Sequence, residues 1–474
     1  MHHDRNNGRS PPNVVWVTLD SVRADHTTMA EYDRDTTPNL DRIAARSAGQ
    51  YLDECIAHGH FTLISSASIL SGLYPSRHGV GLGRSRLPDV KTIADRFRDR
   101  GYHTAGLSRN AFASSAVGLD RGFDRFELLS PRSLLRVAGP VTVAKYLLGI
   151  RRHSVGLEPD LRQHATGYLM TAVAEDWIES LAANEDPSFL YLHYNEPHRP
   201  YCPPLPYRRA FAEDIELSAD EAAAIAMGVH DNLMEIIATG YELSEAEWEA
   251  LIAMYDAGIA HTDACIGRLF EAVRRSSLGE TLFVVTSDHG ELFGEQGTLG
   301  HKYTMDDGVI NVPLVTHGIE ESAGGPVQHT DVMATLLRAA GADATGVQGI
   351  DFRHEQREFT VSQDNENTLD SLLEYNPDFD GSELAIGDHS VLRQDGFKLK
   401  KSATTRALYR LPDELTDVAE QYPEVADRLD RTLSEWLATE GQPIDEDGTD
   451  EAEFSDAMRQ QLADLGYLDE EIPD

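Results

Sequence analysis

Val284-Val285-Thr286-Ser287-Asp288-His289-Gly290-Glu291 is a short apolar, β-branched run that breaks into an acid, an imidazole and a glycine. With Phe283 before it, the run reads as a buried strand, and Gly290 marks its end. Asp288 and His289 then stand at the carboxyl edge of a sheet, where open α/β folds keep their ligands. A carboxylate beside an imidazole suits a hard or borderline divalent cation. An Asp-His pair after a strand is more often an ordinary turn, so its weight depends on what the rest of the chain brings to it.

Working outward, Asn13-Val14-Val15-Trp16-Val17-Thr18-Leu19 is nearly continuous in apolar residues and reads as a strand covered on both faces. It ends in Asp20-Ser21-Val22-Arg23-Ala24-Asp25, a second acid at a strand's carboxyl end, although alone Asp20 reads as a helix N-cap. Arg23 is placed to hold this loop by hydrogen bonds. Thr37 and Pro38 open a helix with Leu40, Ile43 and Ala44 on its apolar face. His60 to Gly72 then carries hydroxyls and small residues into a helix, followed by the turn Tyr74-Pro75-Ser76-Arg77-His78-Gly79. Taken singly, Thr62 is a cap, and Ser65, Ser66 and Ser68 are packing residues. A hydroxyl at a helix start nonetheless gains from the dipole when its oxygen becomes negative.

Composition narrows the class. The 474 residues allow a large core and more than one domain, and 41% of them are hydrophobic, which excludes a disordered acidic chain. The net charge is −39, and of 41 basic residues only six are Lys. Acid excess with scarce Lys looks haloarchaeal, and such a field repels nucleic acid. Cys55, Cys202 and Cys265 form no metal spacing and no even disulfide set, as in a reducing compartment. Residues 1–12 are polar, and the longest apolar stretch, near Val137–Ile150, is interrupted by Pro140 and Lys145. No transmembrane segment and a cytoplasmic location are therefore expected.

The blocks Thr18 to Asp25, Thr37 to Asp41, and Thr62 to Gly72 with Tyr74 to Gly79 together resemble the sulfatase family of the alkaline phosphatase superfamily. Further blocks extend the resemblance. They are Gly101 to Ala105, Phe189 to Tyr201 with its Pro197-His198-Arg199-Pro200-Tyr201, Tyr255 to Leu269, Thr286 to Glu291, and Gly300-His301 through Leu314. Arg393 to Leu399 and Leu408 to Leu411 are similar to its small C-terminal sheet. The resemblance implies an α/β sandwich, with a large central mixed sheet flanked by helices and a small C-terminal αβ subdomain. The expected units are residues 13–350 (with inserts near 127–180 and 205–250), 351–440, and an acidic tail at 441–474. Within the second unit a strand pair is expected around Ser390–Lys400 and Thr405–Arg410, then a helix from Pro423 to Trp436. The tail has helical spacing over Glu453–Leu465 and is expected to dock or fray.

The resemblance also implies a site. Asp20, Asp288, His289 and Thr62 would hold one divalent cation: Ca, Mn or Mg. The family often has a second Asp after the first, but here that position is Ser21, leaving the set one carboxylate short. The nucleophile position falls on Thr62, where sulfatases carry a Cys or Ser converted to formylglycine. The Pro and Arg of that maturation motif are here Ile64 and Ser66, so no formylglycine is expected. Thr62 would attack directly, as Thr does in phosphodiesterases and phosphoglycerol transferases of the superfamily. His198 and His301 would contact the oxyanion and move protons. Arg109, Asn110 and Lys302 would contact the substrate anion. His193, on its strand, reads first as structural, with a second metal as its other role. Asp306 and Asp307 read as a solvated loop.

Leu128 to Leu157 contains no Asp or Glu but carries Arg132, Arg136, Lys145, Arg151 and Arg152 among leucines. This segment reads as a lid before it reads as a membrane-facing surface. The function expected is a metal-dependent hydrolase of a small anionic sulfate or phosphate ester, glycan- and lipid-linked esters included. The rivals are a phosphoglycerol- or phosphoethanolamine-type transferase and a catalytically silent binding protein.

Overall fold

In the computed structural model of the chain, residues 10–444 and 451–467 are described, apart from 83, 241–242, 365–367, 382–383 and 385–386. The strands of the large sheet, in chain order, are β1 (Asn13–Asp20), β2 (Gly49–Ile56), β3 (His103–Ser108), β4 (Arg125–Leu128), β5 (Ser188–Pro197) and β6 (Thr281–Ser287). A two-residue hairpin of β7 (Leu292–Phe293) and β8 (Leu299–Gly300) follows, then β9 (Asn311–His317) and β10 (Val327–Gln328). They assemble in the order β10-β2-β9-β6-β1-β5-β3-β4, with the hairpin outside. β6, β1, β5, β3 and β4 run parallel, whereas β9 is antiparallel to both β6 and β2. The sheet is thus mixed, as expected.

β1 is central and buried at all eight positions. Its Val15, Val17 and Leu19 face one core with the helices Gly167–Leu181 and Glu245–Arg275. Val14 and Trp16 face the other, with the helices Thr62–Ser71 and His329–Ala339. Alternation on a strand with two covered faces requires apolar residues on both. The 31-residue helix Glu245–Arg275 starts at a capping box, in which the Ser244 hydroxyl accepts from the Glu247 N–H. In register, Thr18 lies opposite His193 on β5 and Thr286 on β6. The carboxyl ends of these three strands therefore open at one edge.

A second, antiparallel sheet follows: β11 (Thr360–Asp364), β12 (His389–Gln394), β13 (Phe397–Ser402) and β14 (Arg406–Arg410). The expected strand over 390–400 is in fact a hairpin, because Asp395 (φ 54°) and Gly396 (φ 75°) turn the chain back. The helix Pro423–Thr439 packs on this sheet through Ala426, Leu429, Leu433 and Trp436, with Val425 only half-buried. Asp306 and Asp307 are not a solvated loop. Asp306 is paired with Lys400, while Asp307 meets Lys398 Nζ at 3.0 Å and Arg393 at 3.0 Å. Their charge faces three basic residues of β12 and β13 rather than water.

The acid-free segment folds as three short helices, Leu134–Val137, Gly139–Leu148 and Ile150–His153. Val137, Val143 and Tyr146 anchor it to the first core, while Leu148 and Leu157 are 90% and 93% exposed. No helix of the described residues is long and apolar enough to cross a membrane. In the tail, the helix Asp456–Asp464 docks through the fully buried Leu462.

Candidate active site

Asp20, His193, Asp288 and His289 meet at the sheet edge, each 0% exposed. His193 Nε2 stands 3.5 Å from Asp20 Oδ2 and 3.8 Å from Asp288 Oδ2. His289 Nε2 lies 3.6 Å from Asp20 Oδ1 and 3.8 Å from Asp288 Oδ2. Donor atoms of Asp20, His193 and Asp288 all fall within 4.8 Å of one another. His193 Nε2 and Asp288 Oδ2 are buried without a hydrogen-bond partner. Two carboxylates sealed together with unpartnered imidazole nitrogen fit a divalent cation, which would neutralise the pair and use both orphan atoms.

The electrostatics agree with that fit. Burial acts to raise the Asp20 carboxyl, yet the imidazoles of His198, His193 and His289 outweigh it and hold it well below the usual range. Asp288 is pushed up, first by burial and then by the charge of Asp20. Burial lowers the His289 imidazole, but Asp288 and Asp20 overcome it and raise it. His289 Nδ1 lies 2.9 Å from the Gly290 carbonyl and donates to it, so Nε2 presents its lone pair inward.

The Asp20 loop is held by its own backbone. Ser21 adopts φ 67°, sends its N–H to Asp288 Oδ1 at 3.3 Å and its hydroxyl to Asp20 Oδ1 at 3.2 Å. Where an acid would follow Asp20, a short hydroxyl turns back onto it. The imidazole of His193 enters the cluster instead. Arg23 donates to the Glu291 carbonyl at 3.1 Å and pairs with Asp25 and Glu295, which locks this loop to the one after β6.

Thr62 is the first residue of its helix, with Phe61 as the cap. Its Oγ1 lies 3.5 Å from His289 Nε2 and accepts from Asn110 Nδ2 at 3.4 Å. Asn110 Nδ2 also donates to Asp20 Oδ2 at 2.8 Å. Asn110, expected at the substrate anion, thus ties the threonine to the acid cluster. The Tyr467 hydroxyl, from the chain's far end, is 3.3 Å from the same oxygen.

His198 and His301 stand beside the Tyr467 ring, 5.1 Å and 5.9 Å from it. Their rings are 5.3 Å apart, and His301 lies 4.3 Å from the His289 ring. His198 Nδ1 donates to the Arg199 carbonyl at 2.7 Å, leaving Nε2 buried and unpartnered. His301 Nδ1 meets Glu291 Oε1 at 2.9 Å. Burial lowers both imidazoles. His198, Arg109 and Arg199 line an adjoining cavity of about 260 Å³. Arg109 turns into that cavity with Nη1 unpartnered and does not join the Thr62 cluster. Lys302 is half-buried, 5.5 Å over the Tyr303 ring, and its charge helps burial lower His60 to about 3. Glu291 and Tyr467 were not foreseen. Glu291 follows His289 by two residues, which is a local signal, whereas nothing local marks Tyr467.

A family model described as Sulfatase matches residues 12–342. A sulfatase of Formosa agariphila is 25% identical over 364 residues, 70% of this chain and 70% of its own length. Arylsulfatase K of Gallus gallus is 27% identical over 464 residues, 90% of this chain and 82% of that one. Among solved structures, a phosphonate monoester hydrolase of Agrobacterium radiobacter superposes with a TM-score of 0.68 at 22% identity, covering 90% of this chain and 96% of the other.

Proposed function

This chain belongs to the sulfatase family, and from that premise we propose that it hydrolyses a sulfate or phosphate ester by direct attack of the Thr62 oxygen. The reading rests on one observation. A threonine hydroxyl at a helix N-terminus lies 3.5 Å from His289 Nε2, beside the Asp20–His193–Asp288 cluster. A divalent cation held by Asp20, His193, Asp288 and His289 would supply Lewis acidity to the ester and favour the ionised hydroxyl.

The chain's own groups do the rest. The helix start and Asn110 Nδ2 stabilise negative charge on Thr62 Oγ1. Attack forms an Oγ1 bond to sulfur or phosphorus and breaks the bond to the alcohol. The Thr62 proton passes to His198 Nε2, which is unpartnered and borders the cavity, and from there to that alcohol. His301 donates to the ester oxygens from Nε2, with Nδ1 accepting from the Glu291 carboxyl that burial pushes up. Water then cleaves the threonine adduct, releasing sulfate or phosphate and returning the Thr62 proton. The reading needs no formylglycine, which Thr cannot form. A phosphodiester substrate is included. The acid-rich, Lys-poor composition and the three buried free cysteines support a reducing cytoplasm at high salt.

The test is turnover of p-nitrophenyl sulfate, p-nitrophenyl phosphate and bis-p-nitrophenyl phosphate at high salt with Mg, Mn or Ca. Thr62→Ala is expected to lower kcat by about 10³-fold or more, and EDTA to abolish turnover. Full activity in Thr62→Ala would remove the nucleophile assignment. Transfer of the group to an added alcohol in place of water would identify a transferase.

A further inference from the structure

We infer that the C-terminal segment belongs to the active site, with Tyr467 as a catalytic residue whose phenol hydrogen-bonds the reacting oxygens at Thr62. The inference rests on the Thr62 reading for what those oxygens are, but its own observation is separate. Tyr467 OH is 3.3 Å from Thr62 Oγ1, across more than 400 residues of sequence.

The placement is over-determined. The Tyr467 ring packs 5.0 Å from Phe112, 5.1 Å from His198 and 5.9 Å from His301. It therefore stands among the two imidazoles assigned to the ester and its leaving alcohol. The segment that carries it is tied down along its length. The Ala452 N–H donates to Ser85 Oγ at 2.8 Å, and the Glu453 N–H to the Ala116 carbonyl at 3.3 Å. Leu462 is fully buried in the second core, Gln461 bonds the Arg109 carbonyl, and the Asp464 carbonyl meets His230 Nε2 at 3.1 Å.

Two consequences follow. Thr62, Asp20, Asp288 and His289 are all 0% exposed, so the site is closed. The same segment, through Ala457, Gln461 and Leu465, forms one wall of the 260 Å³ cavity that His198 and Arg109 line from the other side. The segment's residues close one side of that cavity. It is where the alcohol of the ester would lie once His198 is to protonate it. Toward an ionised Thr62 oxygen, 3.3 Å away, the phenol would be a second donor beside Asn110 Nδ2. Being neutral, it stabilises charge there without adding any.

The experiment compares full-length wild type, Tyr467→Phe and Tyr467→Ala. It reads kcat and KM on the best ester of the p-nitrophenyl panel, the Kd of orthovanadate by calorimetry, and Tm. Tyr467→Phe keeps the ring and removes only the hydroxyl. It is expected to lower kcat about 10- to 100-fold, weaken orthovanadate severalfold, and leave KM and Tm near wild type. Tyr467→Ala should also raise KM. Unchanged kcat and orthovanadate affinity in Tyr467→Phe would overturn the proposal, making the tyrosine a packing residue. A rise in kcat or affinity would overturn it too, making the segment an inhibitory plug. Thr62→Ala run in parallel separates the two readings. If it stays active while Tyr467→Phe is impaired, the nucleophile assignment fails and the place of Tyr467 in the site stands.

Discussion

His78 shows what burial does to a single side chain here. It is enclosed between Ser68 Oγ, 3.0 Å from Nε2, and the Val80 N–H, which donates to Nδ1 at 3.0 Å. Both ring nitrogens are already used in the neutral form, and burial lowers its pKa from 6.5 to about 3. The unfolded chain takes up the proton near pH 6.5 and the folded chain refuses it. The stability this group contributes is therefore complete above pH 6.5 and lost as pH falls toward 3. His78→Asn should flatten the decline of urea-unfolding free energy in that window by about one proton, or about 1.4 kcal/mol per pH unit. An unaltered slope would mean that the imidazole is protonated in the fold. At the active site the same residue-level logic separates His198 from His301: a backbone carbonyl orients the first and the Glu291 carboxyl the second.

At the scale of elements, the junction between the large sheet and the small one is ionic. Lys398 on β13 is fully buried, with Nζ 2.6 Å from Glu414 and 3.0 Å from Asp307. Asp307 starts the short helix Asp307–Ile310, which runs into β9. The lysine thereby ties the hairpin to the loop that follows His301. Lys398→Ala leaves the buried Glu414 to the more distant Lys400, 3.9 Å away, and Asp307 to Arg393, and is expected to cost about 3 kcal/mol, read by urea denaturation. A loss under about 1 kcal/mol would show that the junction does not depend on this ion cluster. Because the cluster adjoins the loop carrying His301, the same variant should lower kcat before it unfolds the chain.

Over the whole molecule the dominant number is the charge of −39. Surface acids at this excess repel one another, and at about 0.1 M salt the screening length is about 10 Å. Compaction therefore costs free energy that added salt removes. Tm is expected to rise steadily from 0.1 M to 2 M KCl, and the p-nitrophenyl ester activity with it. A Tm independent of salt would show that the acids are offset locally. In the acid-free segment Arg136 pairs with Glu127 at 2.6 Å. Its Leu148 and Leu157 stay exposed among the described residues.

The sequence by itself determined the sheet and one edge of the site. β1 and β6 are apolar enough to be buried on both faces, and an acid stands at the carboxyl end of each, Asp20 closing β1 and Asp288 following β6. The order and spacing of their blocks pointed to Thr62, His198, His289 and His301 as site candidates, and Thr62 Oγ1 lies 3.5 Å from His289 Nε2. Only the tertiary structure decided the rest. His193 reads as a strand residue until register places it opposite Thr18. Asp306 and Asp307 read as solvent-facing until the second sheet brings Lys398 and Lys400 against them. Tyr467 reaches Thr62 only because Leu462 docks the tail. Local pattern reports which face of an element is buried and where it ends, since those depend on neighbours in the chain. Partners hundreds of residues apart are chosen by packing of whole elements, and no local period records that choice.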